Sequence, residues 1–305
     1  MNEGPQETAL AFSRPVDEAR RPRRQVLSLR DGYRTVVYIY GPLGPTKRVP
    51  VLYLHGIQSH PGWFVGSCVH LAGVGHRVFA VCRRGSGDNA LHRGDADSAA
   101  QLLEDVETAG QYVLEATGKD RLAVVGVSWG GKLAACYAAS PQRKVNVASL
   151  TLVAPGIAPR VDMGLAGKLA VGLALLVAPQ RRFEIPLSDL DLFTDNHAMR
   201  GYLQVDHHRL LRGTARFLNA SRQLDVMLAA AGVGAVSVPT TLILANDDRI
   251  IDNTRTRHVV DRLTGSAAMV KMLGGAHTLE FEEDPMPLYQ TLAEGVGRGD
   301  QPGKS

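Results

Sequence analysis

Residues 121–137, RLAVVGVSWGGKLAACY, decide the fold. A short apolar, β-branched run ends in Gly126-Val127-Ser128-Trp129-Gly130, and small residues then recur at helical spacing, so the stretch predicts a strand, a sharp turn and a helix. A G-x-S-x-G sequence at such a junction is a nucleophile elbow. The serine sits in a strained turn with its hydroxyl above the sheet, and the glycines remove Cβ atoms that would keep the turn from closing. The first N–H groups of the following helix, Trp129 foremost, have no partner within it. They are free to face the negative oxygen that forms when a carbonyl is attacked.

The same letters nearly spell a phosphate-binding loop, since Gly126 is followed after four residues by Gly131-Lys132. The next position, where Ser or Thr should ligate magnesium, is Leu133, which offers no oxygen. Further on, Gly85-Ser86-Gly87-Asp88-Asn89-Ala90 matches G-x-G-x-x-A of a dinucleotide site as letters. That fingerprint must open a helix directly, whereas Leu91 to Asp95 intervene here. No nucleotide or other cofactor is expected.

With 305 residues, 45% of them hydrophobic, the chain can bury a large core as one α/β domain with an insertion or as two domains. The net charge of +4 is mild, and no basic run is interleaved with aromatics, so nucleic acid is not an expected partner. Cys68, Cys82 and Cys136 form no framework spacing and suit a reducing, cytoplasmic compartment. The start MNEGPQETALAF has acids where a signal peptide needs positive charge. No apolar run reaches the roughly 18 residues of a membrane span.

Taken in order, residues 1–24 are charged and aperiodic and read as a flexible arm. Gln25 to Leu29 and Thr35 to Tyr40 predict a hairpin through Arg30-Asp31-Gly32. Val49 to Leu54 is a continuous apolar run ending in His55-Gly56-Ile57, and Arg77 to Val81 is another short strand. Leu102, Leu103, Val106, Ala109, Val113 and Leu114 recur at helical spacing before Gly118. Strand and helix thus alternate, which means a mostly parallel sheet. The rhythm breaks over 157–239, read as an inserted helical cap. It resumes at Thr240 to Ala245 and at Ala268 to Leu273, with a closing helix near Pro285 to Leu292. The core is therefore expected over 25–156 and 240–297, with a flexible tail over 298–305.

A serine needs a general base, and the base needs an acid to fix its tautomer. Candidates follow in the order serine, acid, histidine, each in a loop just after a predicted strand, where an open α/β sheet builds its sites. Asp247, Asp248 and Asp252 all lie in or beside the first of these loops, and His277 follows Gly274-Gly275-Ala276 in the second. His55 is expected to shape a loop. His207-His208 are read as adjacent helical residues whose side chains diverge, and no His-x3-His or Cys-x2-Cys spacing exists, so no metal site is expected. Arg209, Arg212, Arg216 and Arg222 read as a solvated basic stripe on a cap helix.

From about Gln25 to Ala293 the chain resembles an α/β-hydrolase with a helical cap, of the monoacylglycerol lipase and lysophospholipase-like branch grouped with serine aminopeptidases. The resemblance rests on HGIQSHPGW at 55–63, RRGSG at 83–87, GVSWGG at 126–131, ANDDRII at 245–251 and GGAHTLEFE at 274–282. It implies a triad of Ser128, Asp248 and His277, with the backbone N–H groups of Ile57 and Trp129 as oxyanion hole. Its register, acid, two residues, then apolar Ile251, selects Asp248. Cys82 and Ala245 depart from the aspartate and glycine common there.

The expected function is hydrolysis of a small-molecule carboxylic ester, lipid included, through an acyl-enzyme. The same groups could serve a thioesterase, amidase or acyltransferase, and the fold also hosts ligand-binding proteins without turnover. In the cap, Leu165 to Ala178 carries only Lys168 as a charge. It predicts a buried cap helix; the sharper alternative has Leu169, Leu173 and Leu176 lining an acyl tunnel and touching lipid at a membrane surface.

Overall fold

A computed structural model describes residues 21–42 and 44–301. β1 (Arg23–Ser28) and β2 (Arg34–Tyr40) form an antiparallel hairpin, turned at Asp31 and Gly32, whose φ is +82°. β2 runs antiparallel to β4 (Val78–Val81). From β4 onward the neighbours are parallel: β3 (Val51–Leu54), β5 (Leu122–Val127), β6 (Val147–Val153), β9 (Thr240–Ala245) and β10 (Met269–Leu273). Every residue of β3, β4, β5 and β9 is buried, as expected of strands covered on both faces.

The covering helices are α1 (Val65–Gly73), α2 (Ala99–Thr117), α3 (Trp129–Ala139), α7 (Asn253–Thr264) and α8 (Met286–Gly297). α2 shows why the local sequence folds so. Ser98 Oγ accepts from the Gln101 N–H at its start, and Gly118 takes φ +62° at its end.

The ends depart from expectation. Arg23 and Arg24 pair with Ile39 and Tyr38 in the sheet, because the hairpin register extends two residues further than the Asp-Gly signal indicates. Residues 21 and 22 lead into this strand, and residues 1–20 of the expected arm lie outside the described residues. The expected free tail begins too early at 298. Arg298 donates to the Thr240 carbonyl (2.7 Å), and Asp300 accepts from the Val49 N–H and from Arg48 (both 2.8 Å), so this turn is docked. Residues 302–305 are not described.

Between β6 and β9 come α4 (Leu165–Val177), β7 (Arg182–Glu184), α5 (His197–Val205), β8 (Arg212–Thr214) and α6 (Ala215–Ala230), with β7 and β8 paired antiparallel. The helix expected to carry Arg209 to Arg222 starts only at Ala215. Residues 212–214 are held by β7, and Thr214 Oγ1 caps the helix by accepting from the Phe217 N–H (3.2 Å). His207-His208 sit in a turn after α5, where Asp206 accepts from the His208 N–H (2.9 Å), not in a helix.

The expected arginine stripe is not a stripe. Arg209 donates to Gln58 Oε1 (2.9 Å) and the Leu187 carbonyl (2.7 Å), Arg212 is on β8, and Arg216 grips Asp95 with two N–H groups. Of the four arginines only Arg222 is an exposed residue of α6.

α4 is the largest correction. Leu165, Leu169, Leu173, Leu176 and Val177 are 63–83% exposed, and Ala174 alone is buried. The helix bears on α6, and its outer face is left exposed by the described residues. No helix among the described residues is long and apolar enough to cross a membrane.

Candidate active site

β5 delivers Ser128 into a turn at φ 53° and ψ −124°, a conformation that costs a non-glycine residue about 1–3 kcal/mol. Three bonds hold it there. Its N–H donates to the Val153 carbonyl (2.8 Å), and its carbonyl accepts from Gly131 (2.8 Å) and Gly156 (2.7 Å). The glycines are required by contact: a Cβ on Gly126 would lie 2.6 Å from the Gly130 oxygen, and one on Gly130 2.4 Å from the oxygens of Leu54 and His55. A Cβ on Gly56 would lie 3.2 Å from Ser128 Cβ, which is how closely the loop after β3 passes the serine.

His277, in the loop after β10, is buried, with Nε2 2.8 Å from Ser128 Oγ and Nδ1 2.8 Å from Asp248 Oδ2. A carboxylate at Nδ1 places the proton there and leaves Nε2 to accept from the serine hydroxyl. Asp248 Oδ1 accepts from the N–H groups of Ile250 (2.8 Å) and Ile251 (2.9 Å), so the buried carboxylate is fully partnered. Of the other two acids, Asp247 is exposed, and Asp252 caps α7 by accepting from the Arg255 N–H (2.9 Å).

Ile57 and Trp129, the residues of the expected oxyanion hole, border one cavity together with Ser128. Both are braced by Arg83, which sequence reasoning missed as a functional residue. Its Nη2 donates to the Ile57 carbonyl (2.8 Å), and its guanidinium lies 5.0 Å from the Trp129 ring and 4.8 Å from the Phe217 ring. Burial, with Arg93 nearby, pushes the Arg83 pKa down to about 9. The only signal in the sequence was the RRGSG run itself. His55 props the same loop: Nε2 accepts from the Arg83 N–H (2.9 Å) and Nδ1 donates to the Gly56 carbonyl (2.9 Å). Burial and the Arg83 charge hold its pKa well below the ordinary value, so it stays neutral.

The cavity measures about 530 Å³, within the usual range for small-molecule sites. Val161, Val171, Leu175, Ile185, Leu187 and Leu218 supply much of its apolar wall. From α4 it takes Val171, Gly172 and Leu175, so the expected tunnel leucines Leu169, Leu173 and Leu176 are on the wrong face. Lys132, Ser221 and Asp225 add polar groups beneath α6. Both indole N–H groups are among the bonds that tie the inserted segment to the core: Trp63 Nε1 donates to Asp206 Oδ2 (2.7 Å) and Trp129 Nε1 to Ser221 Oγ (2.8 Å). Among the described residues no three His, Cys, Asp or Glu side chains are grouped to hold a metal ion.

Residues 45–284 match the family described as serine aminopeptidase, S33. A monoacylglycerol lipase of Mycolicibacterium smegmatis is 26% identical over 84% of this chain and 90% of its own length. A putative carbamate hydrolase RutD of Variovorax paradoxus is 28% identical over 72% and 82%. Among solved structures, a soluble variant of the monoglyceride lipase of Saccharomyces cerevisiae, bound to a substrate analog, superposes with a TM-score of 0.81. It is 19% identical, over 94% of this chain and 99% of that one, so it speaks for the fold. With the elbow, the parallel sheet and the inserted segment in place, the chain belongs to the serine aminopeptidase S33 family of α/β-hydrolases and is a hydrolase.

Proposed function

We propose that the chain cleaves carboxylic esters through an acyl-enzyme on Ser128. The observation that carries this reading is the unbroken line of two 2.8 Å contacts, Ser128 Oγ to His277 Nε2 and His277 Nδ1 to Asp248 Oδ2, opening into a mostly apolar cavity. Ser128 Oγ attacks the carbonyl carbon while His277 Nε2 takes its proton. The N–H groups of Ile57 and Trp129 receive the carbonyl oxygen as it becomes negative. His277 then gives the proton to the departing alkoxide, and the same cycle run with water frees the acid. Asp248 holds the tautomer and faces the imidazolium at each step.

The substrate is an ester with an aliphatic acyl chain. The valine and leucine lining supports this, as does the likeness to a monoacylglycerol lipase. In this reading 157–239 forms a cap, and the other described residues, from the Arg23 strand to the docked turn at Asp300, form the catalytic core. The outward leucines of α4, followed by exposed Arg181 and Arg182, rest on a lipid surface. The three cysteines are free and buried, in keeping with a cytoplasmic setting.

The test is covalent labelling by a fluorophosphonate probe alongside turnover of simple esters. Ser128→Ala should abolish labelling and lower kcat by about 10⁴ to 10⁶ with the fold intact. Labelling that survives in this variant removes Ser128 as the nucleophile.

A further inference from the structure

α3 carries a single charged residue. Lys132 stands four residues after Ser128, is 5% exposed, and lines the cavity. A buried ammonium is costly unless its charge and its three N–H groups are matched. Here one N–H goes to Asp225 Oδ1 (2.6 Å), whose side chain is itself 45% exposed. A second makes a long contact with Ser221 Oγ (3.4 Å), and among the described residues no acceptor takes the third.

Ser221 is unspent in the same way. Its oxygen accepts from Trp129 Nε1 and from Lys132, and no acceptor among the described residues takes its own proton. α6 explains why these groups meet. Phe217, Ala220, Leu224 and Leu228 bury one side of the helix, while Leu218, Ser221, Arg222 and Asp225, spaced three and four apart, turn to the cavity. Arg222 has no carboxylate partner among the described residues. The local balance is two cations against one carboxylate, beside an apolar wall that strengthens any charge interaction made there.

We propose that this wall is an anion subsite: Lys132 Nζ and the Ser221 hydroxyl, with Arg222 at the rim, receive a carboxylate carried on one arm of the ester. This rests on ester cleavage at Ser128. It adds that the substrate is not a plain aliphatic ester but one whose acyl or alcohol arm ends in an acid. An oxygen there accepts from two donors that are already positioned, so recognition costs little rearrangement.

Two matched ester pairs separate the arms. 4-Nitrophenyl hexanoate is compared with the 4-nitrophenyl monoester of adipic acid, and phenyl hexanoate with its 3-carboxyphenyl counterpart. The readout is the ratio of kcat/KM, acid-bearing over neutral, within each pair, for the full chain and for Lys132→Met, Ser221→Ala and Arg222→Gln. On one arm Lys132→Met should cut the ratio about tenfold, mainly through KM, and the other two variants should cut it severalfold.

If both ratios are the same in wild type and Lys132→Met, or if neutral and acid-bearing esters fall in parallel, Lys132 merely ties α3 to α6 and the proposal is overturned. Should Lys132→Met fail to fold, Arg222→Gln decides, since that residue holds no ion pair: a reduced ratio supports the subsite and an unchanged one overturns it. Turnover with unchanged ratios counts against the subsite alone. No turnover of any of the four esters by the wild-type chain overturns the ester reading and the subsite with it.

Discussion

β5 and α4 are two apolar segments with opposite fates. All six residues of β5 are buried, whereas α4, thirteen residues with Lys168 as its one charge, buries Ala174 alone. β5 lies between β3 and β6 with helices on the sheet, and α4 bears on α6. An apolar run therefore states a need for a dry neighbour without naming the neighbour. In the core the fold supplies it. In the inserted segment the run presents its inner residues to the cavity and its outer ones to the surroundings, and the outer leucines find no neighbour among the described residues.

Substitutions should divide along the same line. The largest effect belongs to the buried machinery: Asp248→Asn should lower kcat by about 10⁴ by favouring the wrong histidine tautomer, while Asp247→Asn should stay near wild type. Steady-state kinetics on both variants decides it, and a crippled Asp247→Asn would move the acid by one residue. On the cap, replacing Leu165, Leu169, Leu173 and Leu176 together by Ser should weaken sedimentation with anionic phospholipid vesicles at least about a hundredfold. The Tm should not fall, because exposed side chains give up no packing. Unfolding of this variant would return α4 to the core and break the comparison.

The smallest effect probes the core through pH. Glu280, enclosed by Ser67 and Tyr289, has its carboxyl pushed by burial from an ordinary 4.5 up to about 7. Protons are thus bound more tightly in the folded chain than in the unfolded one. The stability this provides is fully present below about 4.5 and lost as pH rises through about 7. The Tm of wild type minus that of Glu280→Gln should therefore decline by a few degrees between about pH 5 and 8, and a flat difference would show that Glu280 does not titrate there.

How legible each feature was depends on the range of the interaction behind it. The elbow is a local pattern, since its glycines answer to contacts within the turn and the two loops beside it, and so it stood out in the letters. The order of serine, acid and histidine followed from where strands end. Which of Asp247, Asp248 and Asp252 faces His277 depends on a turn in which Ile250 and Ile251 donate to one carboxylate, and spacing alone left all three open.

The arginines were misread for the opposite reason. Arg216 finds Asp95, 121 residues away, and Arg209 finds Gln58, 151 residues away, so a helical-stripe argument had no access to either. Arg83 is the same case at the site itself. Its partners Ile57, Trp129 and Phe217 come from three separate parts of the chain. The docked turn at Asp300 joins residue 49 by the same long reach.

The chain has two tryptophans, Trp63 and Trp129, and each indole N–H is donated from the core to a residue of the inserted segment, Asp206 and Ser221 respectively. The tryptophan fluorescence of this protein therefore comes entirely from the seam between the inserted segment and the core. Any lifting of the inserted segment must break one or both indole bonds, and the tryptophan emission will register it without any attached dye. Because Trp129 adjoins Ser128 and Trp63 does not, Trp63→Phe leaves a single built-in optical probe that reads events at the elbow alone.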